Sequence, residues 1–260
     1  MTQAHVNGIR LYYEEHGDGD PILCIHGTSS SAMVWRRSAI DELSRLGHVI
    51  LYDRRGCTRS ERPDPYETSV VQHAEDAAAL LEALRAVPAV VIGRSYGGEM
   101  AIELALRHPA NVRALVLLEA ASLTLDEEAL AWAEDLRAAV EEAAARDMDS
   151  VAEIFLRRVL GNEQWESFPD PARQMFVDNS PAILAEFRAP WLEATASDLS
   201  RIHVPTLLVA SEGSPPAFRR VTERMAAAIS NSRTILVGGG HFIDPGEPGV
   251  LEFVGKVLDR

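Results

Sequence analysis

Short apolar runs alternate with stretches of helical periodicity along most of the chain, and this rhythm restricts the fold more than any single motif does. The runs fall at residues 21–26, 49–53, 89–93 and 112–119, and the helical patterns at 31–46, 69–86 and 97–108. Apolar runs with no polar alternation are strands buried on both faces, and strands joined through helices lie parallel. An alternating segment, Val6, Ile9, Leu11 and Tyr13, surrounds Asn7-Gly8, a dipeptide suited to the positive φ of a tight turn, and predicts an N-terminal hairpin. The expected class is α/β, with a mostly parallel sheet and helices on both faces.

From 123 to 201 the rhythm breaks. Helical patterns follow one another without a convincing strand, and strands return only at 205–210 and 233–237, with helices over 216–229 and from about 248 to the end. The division is therefore a core of residues 1–122 and 202–260 and a helical insertion of 123–201. Within it, Thr124 and Glu127 have capping-box spacing, and Ala129, Ala133, Leu136 and Val140 share one helix face. Ser69 and Gln72 have the same spacing ahead of the helix at 69, and Pro88 stops the run ending at Val87. Trp132, Phe155, Trp165, Phe168, Phe176, Phe187 and Trp191 all fall in the insertion, where their expected task is to fasten it to the sheet.

The 260 residues carry 25 basic and 39 acidic side chains, a net charge of −14, with Lys256 the only lysine. Such a field repels phosphate backbones and anionic bilayers, so neither nucleic acid nor a membrane is an expected partner. Cys24 and Cys57 make neither a disulfide framework nor a zinc site, and read as free thiols. The first residues lack a signal-peptide pattern and the apolar runs are too short to span a bilayer, so a cytoplasmic location is expected.

Gly93-Arg94-Ser95-Tyr96-Gly97 matches G-x-S-x-G directly after an apolar strand and directly before a helix. A serine at that sharp turn holds its hydroxyl above the sheet, and the helix N-terminus favours developing negative charge. Serine is a poor nucleophile at neutral pH and needs a base, for which histidine is suited. Of eight histidines, His5, His16, His48, His73, His108 and His203 read as surface or packing residues, and His26 closes a strand in His26-Gly27. His241, in Gly240-His241-Phe242 beyond the last strand, can swing back over the sheet edge to Ser95. It is the candidate base. Asp53 reads as a structural hydrogen-bonding residue and Arg94 as solvent-facing, while Trp35 and Trp191 could line a pocket or pack the core.

Cys24-Ile25-His26-Gly27, Tyr52-Asp53-Arg54-Arg55-Gly56, Gly93-Arg94-Ser95-Tyr96-Gly97-Gly98 and Gly240-His241-Phe242 resemble the α/β-hydrolase family in order and spacing over nearly the whole chain. The resemblance implies an eight-stranded, mostly parallel sheet with an inserted helical cap, and gives Ser95 and His241 the same roles. It also implies that the backbone N–H groups of Thr28 and Tyr96 form an oxyanion hole. The chain departs from the family at the third triad member. The usual aspartate follows the strand that here ends at Ala210, where Ser211-Glu212-Gly213-Ser214 offers a serine. Haloalkane dehalogenases instead carry a glutamate at the end of the strand before the cap, and Glu119 in Leu117-Leu118-Glu119 fits that place. Glu119 is the candidate acid and Glu212 its competitor.

These residues predict cleavage of a small carboxylic ester or lactone through an acyl-enzyme, without metal or organic cofactor. A dehalogenase would need an aspartate where Ser95 stands. Two other readings remain at this stage: a cofactor-free perhydrolase or haloperoxidase-like activity on the same triad, and a small-molecule-binding protein with little turnover. Oligomeric state is not readable.

Overall fold

The computed structural model describes residues 2–259. Eight strands form the sheet: β1 (Gln3–Val6), β2 (Ile9–His16), β3 (Pro21–Ile25), β4 (His48–Tyr52), β5 (Ala89–Arg94), β6 (Val112–Leu118), β7 (Thr206–Ser211) and β8 (Ser232–Val237). Their order is β1-β2-β4-β3-β5-β6-β7-β8. The β1/β2 and β2/β4 pairings are antiparallel and every other pairing is parallel. The eight-stranded, mostly parallel α/β sheet is the expected one.

Before β6 ends, the chain contributes helices α1 (Arg37–Leu43), α2 (Val70–Ala83) and α3 (Tyr96–Arg107). Between β6 and β7 run α4 (Glu127–Arg146), α5 (Ser150–Leu160), α6 (Asn162–Ser167), α7 (Asp170–Asp178), α8 (Ser180–Arg188) and α9 (Ala196–Leu199), with no strand among the described residues there. α10 (Pro216–Ala228) and α11 (Pro248–Leu258) complete the chain. No helix among the described residues is long and apolar enough to cross a membrane.

Alternate residues of the central strands feed two separate cores, which is the period-two consequence of burying both faces. Leu23, Ile25, Val91, Leu115 and Leu117 pack with α2, α3 and the helices beyond β6. Ile22, Cys24, Val90, Ile92, Val116 and Leu118 pack with α1 and α11 on the other face. Ala129, Ala133, Leu136 and Val140 are all buried, as their spacing in α4 predicts.

Three boundaries differ from the periodicity. Residues 31–36 do not join the first helix, because Ser31 Oγ accepts the Met33 N–H and the Ala32 N–H is drawn to Asp53 Oδ1 at 2.7 Å. These local bonds compete with helix formation. α2 begins where Ser69 Oγ accepts the Gln72 N–H, but stops at Ala83, short of Val87, as Arg85 turns to φ 55°. α4 is capped by Asp126 rather than Thr124, whose hydroxyl donates instead to the Leu192 carbonyl. A carboxylate is the stronger acceptor for orphan helix N–H groups, and Arg220 and Arg224 of α10 also fix it, holding its pKa down at about 2.

Candidate active site

Ser95 joins β5 to α3 with φ 54° and ψ −122°, a backbone state that costs a non-glycine residue about 1–3 kcal/mol. The turn is held on both sides: the Ser95 N–H donates to the Leu118 carbonyl and the Ala121 N–H to the Ser95 carbonyl, each at 3.0 Å. A Cβ on Gly97 would lie 2.3 Å from the Ile25 carbonyl oxygen, so only glycine lets α3 start this close to the end of β3. The serine hydroxyl makes no capping bond with α3 and is left for other work.

His241 follows β8 and is buried. Its Nδ1 lies 2.7 Å from Glu119 Oε2. A carboxylate only accepts, so the ring proton sits on Nδ1 and the Nε2 lone pair is free. Nε2 is buried with no hydrogen-bond partner. His241 and Ser95 line one cavity, together with Gly27, Thr28 and Phe242. No bond joins the serine hydroxyl to Nε2 in this arrangement, the looser geometry common before a substrate binds.

Glu119 is fully buried at φ 49° just past β6. The Ser211 N–H donates to its Oε1 at 2.8 Å and the Ser214 hydroxyl to its Oε2 at 2.6 Å. The serines that stand in the place of the usual aspartate therefore act as donors to a carboxylate arriving from β6. Glu212 is exposed and makes no contact with the imidazole; its N–H pairs with the Val237 carbonyl. The Phe218 ring stacks on His241 with centroids 3.8 Å apart, which restrains rotation of the imidazole about its bond to Glu119.

Thr28, Ser95 and Tyr96 border a second cavity that meets the first at the serine. The Thr28 and Tyr96 backbone N–H groups have no partner among the described residues, and Tyr96 N–H is at the free N-terminus of α3. The structure thus gathers Ser95, His241, Glu119, Thr28 and Tyr96 at one end of the sheet.

The sequence profile of the alpha/beta hydrolase fold matches residues 20–244. The chain belongs to that family. A 2-hydroxymuconate semialdehyde hydrolase of Pseudomonas sp. (strain CF600) is 35% identical over 119 residues, 45% of this chain and 42% of the relative. The match thus spans less than half the length of that relative. Est816, an N-acyl homoserine lactone degrading enzyme, superposes with a TM-score of 0.76 at 25% identity, covering 99% of both chains. A thermophilic esterase from Thermogutta terrifontis superposes with a TM-score of 0.81 at 23% identity, covering 99% of this chain and 98% of the esterase.

Other residues of the chain hold this centre in shape. His26 is buried and neutral, because burial and the nearby Arg54 guanidinium push its pKa well below the usual value. Its Nε2 accepts the Arg54 N–H and its Nδ1 bonds the Gly27 carbonyl, so it braces the loop carrying Thr28. Asp53 is buried between the Ala32 N–H and the Arg59 guanidinium. Arg94 does not face solvent. It is buried between the rings of Trp35 and Phe242, at 4.3 and 4.1 Å, and burial lowers its pKa to about 10. Burial raises the thiol of Cys57 to about 12, so it stays protonated.

The aromatic residues of the helical stretch divide their work. Trp165 and Phe168 pack against Phe176. Trp132, Phe155, Phe187 and Trp191 instead face the second cavity. Sequence patterning reads Trp132, Phe155 and Phe187 as glue and leaves Trp191 between pocket and core, since spacing cannot tell an aromatic that packs a seam from one that borders a void. It also passed over Phe218, Ser214 and Glu186, which reach the site from α10, the loop before it and α8.

Glu99, in the first turn of α3, also borders the second cavity. Burial, with Glu103 one turn along, raises its pKa well above the usual carboxylate range. Below the unfolded-state pKa of about 4.3 both states hold the proton and nothing is lost. Above it the unfolded chain releases the proton while the folded chain keeps it, so stability falls by roughly 1.4 kcal/mol per pH unit until the folded pKa is passed. Glu99→Gln, which stays neutral, removes that decline. The difference in Tm between Glu99→Gln and the parent is expected to widen in favour of the variant as the pH rises above about 4; a constant difference would refute the assignment.

Proposed function

We propose that this chain is a serine hydrolase of small carboxylic esters or lactones, acting through an acyl-enzyme. The observation that carries the reading is the unpaired, buried Nε2 of His241 in the same cavity as Ser95, with Nδ1 fixed by Glu119. Ser95 Oγ attacks the carbonyl carbon and passes its proton to Nε2. Glu119 steadies the resulting imidazolium. The carbonyl oxygen, now an anion, takes hydrogen bonds from the Thr28 and Tyr96 N–H groups, each such donor contributing about 3 kcal/mol to the transition state. His241 returns the proton to the departing oxygen, then activates water to release the acid.

Residues 123–201 serve as the cap in this reading, and Leu123, Trp132, Leu136, Phe155, Phe187 and Trp191 make the wall over Ser95 predominantly apolar. Such a wall excludes water and fits an aliphatic or aromatic acyl group. Est816, described as degrading an acylated lactone, supports including lactones with open-chain esters. The test is a panel of p-nitrophenyl acyl esters and simple lactones, run beside a fluorophosphonate probe read by peptide mass spectrometry. Expected is turnover of part of the panel and labelling confined to Ser95; an unlabelled protein without turnover overturns the reading.

A further inference from the structure

Two cavities meet at Ser95, and they differ in what borders them. One has His241 and Phe242 in its wall, and the other has Tyr96, Glu99, Glu186 and Phe218. If hydrolysis proceeds as proposed, His241 must reach the departing oxygen, so the leaving group occupies the cavity that His241 borders. The acyl group takes the other.

Among the residues that border that acyl cavity, Glu186 carries a buried oxygen without a partner. Glu186, on α8, has its side chain 2% exposed and gives Oε1 to Arg54 Nη2 at 2.7 Å. Its Oε2 is buried and accepts nothing. A buried carboxylate oxygen left without a donor is costly, and a ligand that brings a donor to it recovers that cost. The Arg54 guanidinium is already engaged with Glu186 Oε1, His26 O, Gly27 O and His73 Nε2.

We propose that Glu186 Oε2 is a specificity subsite that accepts a hydrogen bond from a hydroxyl or amide N–H on the acyl half of the ester or lactone. Arg54 sets the charge of that donor. It is fully buried beside Glu186, which raises its pKa further and keeps it cationic, so the pair is neutral as a unit. A neutral donor gains a hydrogen bond there, whereas an ammonium group would give up its hydration for little attraction. The substrate class is therefore an uncharged hydroxyacyl or acylamino ester or lactone.

The inference rests on the proposed hydrolase chemistry, and substrate pairs separate the two. The parent enzyme is given p-nitrophenyl butanoate against p-nitrophenyl 3-hydroxybutanoate, and γ-butyrolactone against its α-acetamido derivative. The donor-bearing member of at least one pair is expected to have about tenfold or greater kcat/KM, because a site built around a buried acceptor rejects the analogue that leaves it unpaired. In Glu186→Gln, which puts an amide in place of the carboxylate, that ratio should fall toward one, whatever the change in rate on the plain member of each pair. A purely structural role would slow both members alike. Equal rates within both pairs overturn the inference while leaving the hydrolase reading intact, as does a preference that survives in Glu186→Gln. No turnover of any of the four overturns the inference, and overturns the hydrolase reading as well where the fluorophosphonate leaves Ser95 unlabelled. The parent ratios alone decide the matter if Glu186→Gln does not fold.

Discussion

Ser95→Ala is expected to lower kcat by about 10⁵- to 10⁶-fold and to abolish fluorophosphonate labelling, with the fold unchanged. The size follows from the division of labour at the site. Without the hydroxyl no acyl-enzyme forms, and only the two backbone donors and the apolar walls remain to favour hydrolysis by water. Such remnants still give roughly 10³–10⁴-fold over the uncatalysed rate, so a small residual activity is expected. The stability half of the prediction is as specific. The Ser95 side chain makes no capping bond with α3, and alanine at φ 54° is no more strained than serine, so Tm should stay within a few degrees of the parent. Pre-steady-state mixing with a p-nitrophenyl ester checks the acyl step directly: the parent should release a burst of nitrophenol and the variant none. Activity retained within about tenfold would remove Ser95 from the chemistry.

What the sequence made readable was whatever depends on neighbours along the chain. The strand-helix rhythm gives the parallel sheet, and the glycines of Gly93-Arg94-Ser95-Tyr96-Gly97 point to the sharp turn at Ser95, because their requirement is local and steric. Glu119 came within reach through the resemblance to haloalkane dehalogenases, which carry a glutamate at the end of the strand before the cap, the place where Glu119 follows β6. Arg94 was misread: its place in the motif says nothing about Trp35 and Phe242, which close over it from residues far away in sequence. Glu186 had no local signal at all. In an amphipathic helix a carboxylate reads as solvated, and only the fold shows that this one meets Arg54, 132 positions earlier. Thr124 lost the cap of α4 to Asp126 because Arg220 and Arg224 reinforce the carboxylate from α10, another long-range term.

The second large effect concerns the acid. Glu119→Gln is expected to reduce kcat by about 10⁴-fold, and Glu212→Gln to leave it within twofold. Three donors converge on Glu119: the Ser211 N–H, the Ser214 hydroxyl and His241 Nδ1. A carboxylate satisfies all three, but an amide has one accepting oxygen and one donating nitrogen. The Ser211 N–H is part of the backbone and cannot turn away, so it claims the amide oxygen at the Oε1 position. The amide nitrogen then faces the imidazole. Ser214 can rotate its hydroxyl and accept, but His241 can keep a bond to an N–H donor only by presenting Nδ1 as a lone pair, which moves the ring proton to Nε2. A proton on Nε2 blocks the atom that should receive one from Ser95, so the base is lost through the tautomer although every heavy atom stays in place. Nitrogen-15 NMR of the histidine ring is the direct check, with an Nδ1-bound proton expected in the parent and an Nε2-bound proton in Glu119→Gln. The exposed Glu212 has no such connection. Loss of turnover in Glu212→Gln, with Glu119→Gln active and its tautomer unchanged, would transfer the role of acid to Glu212.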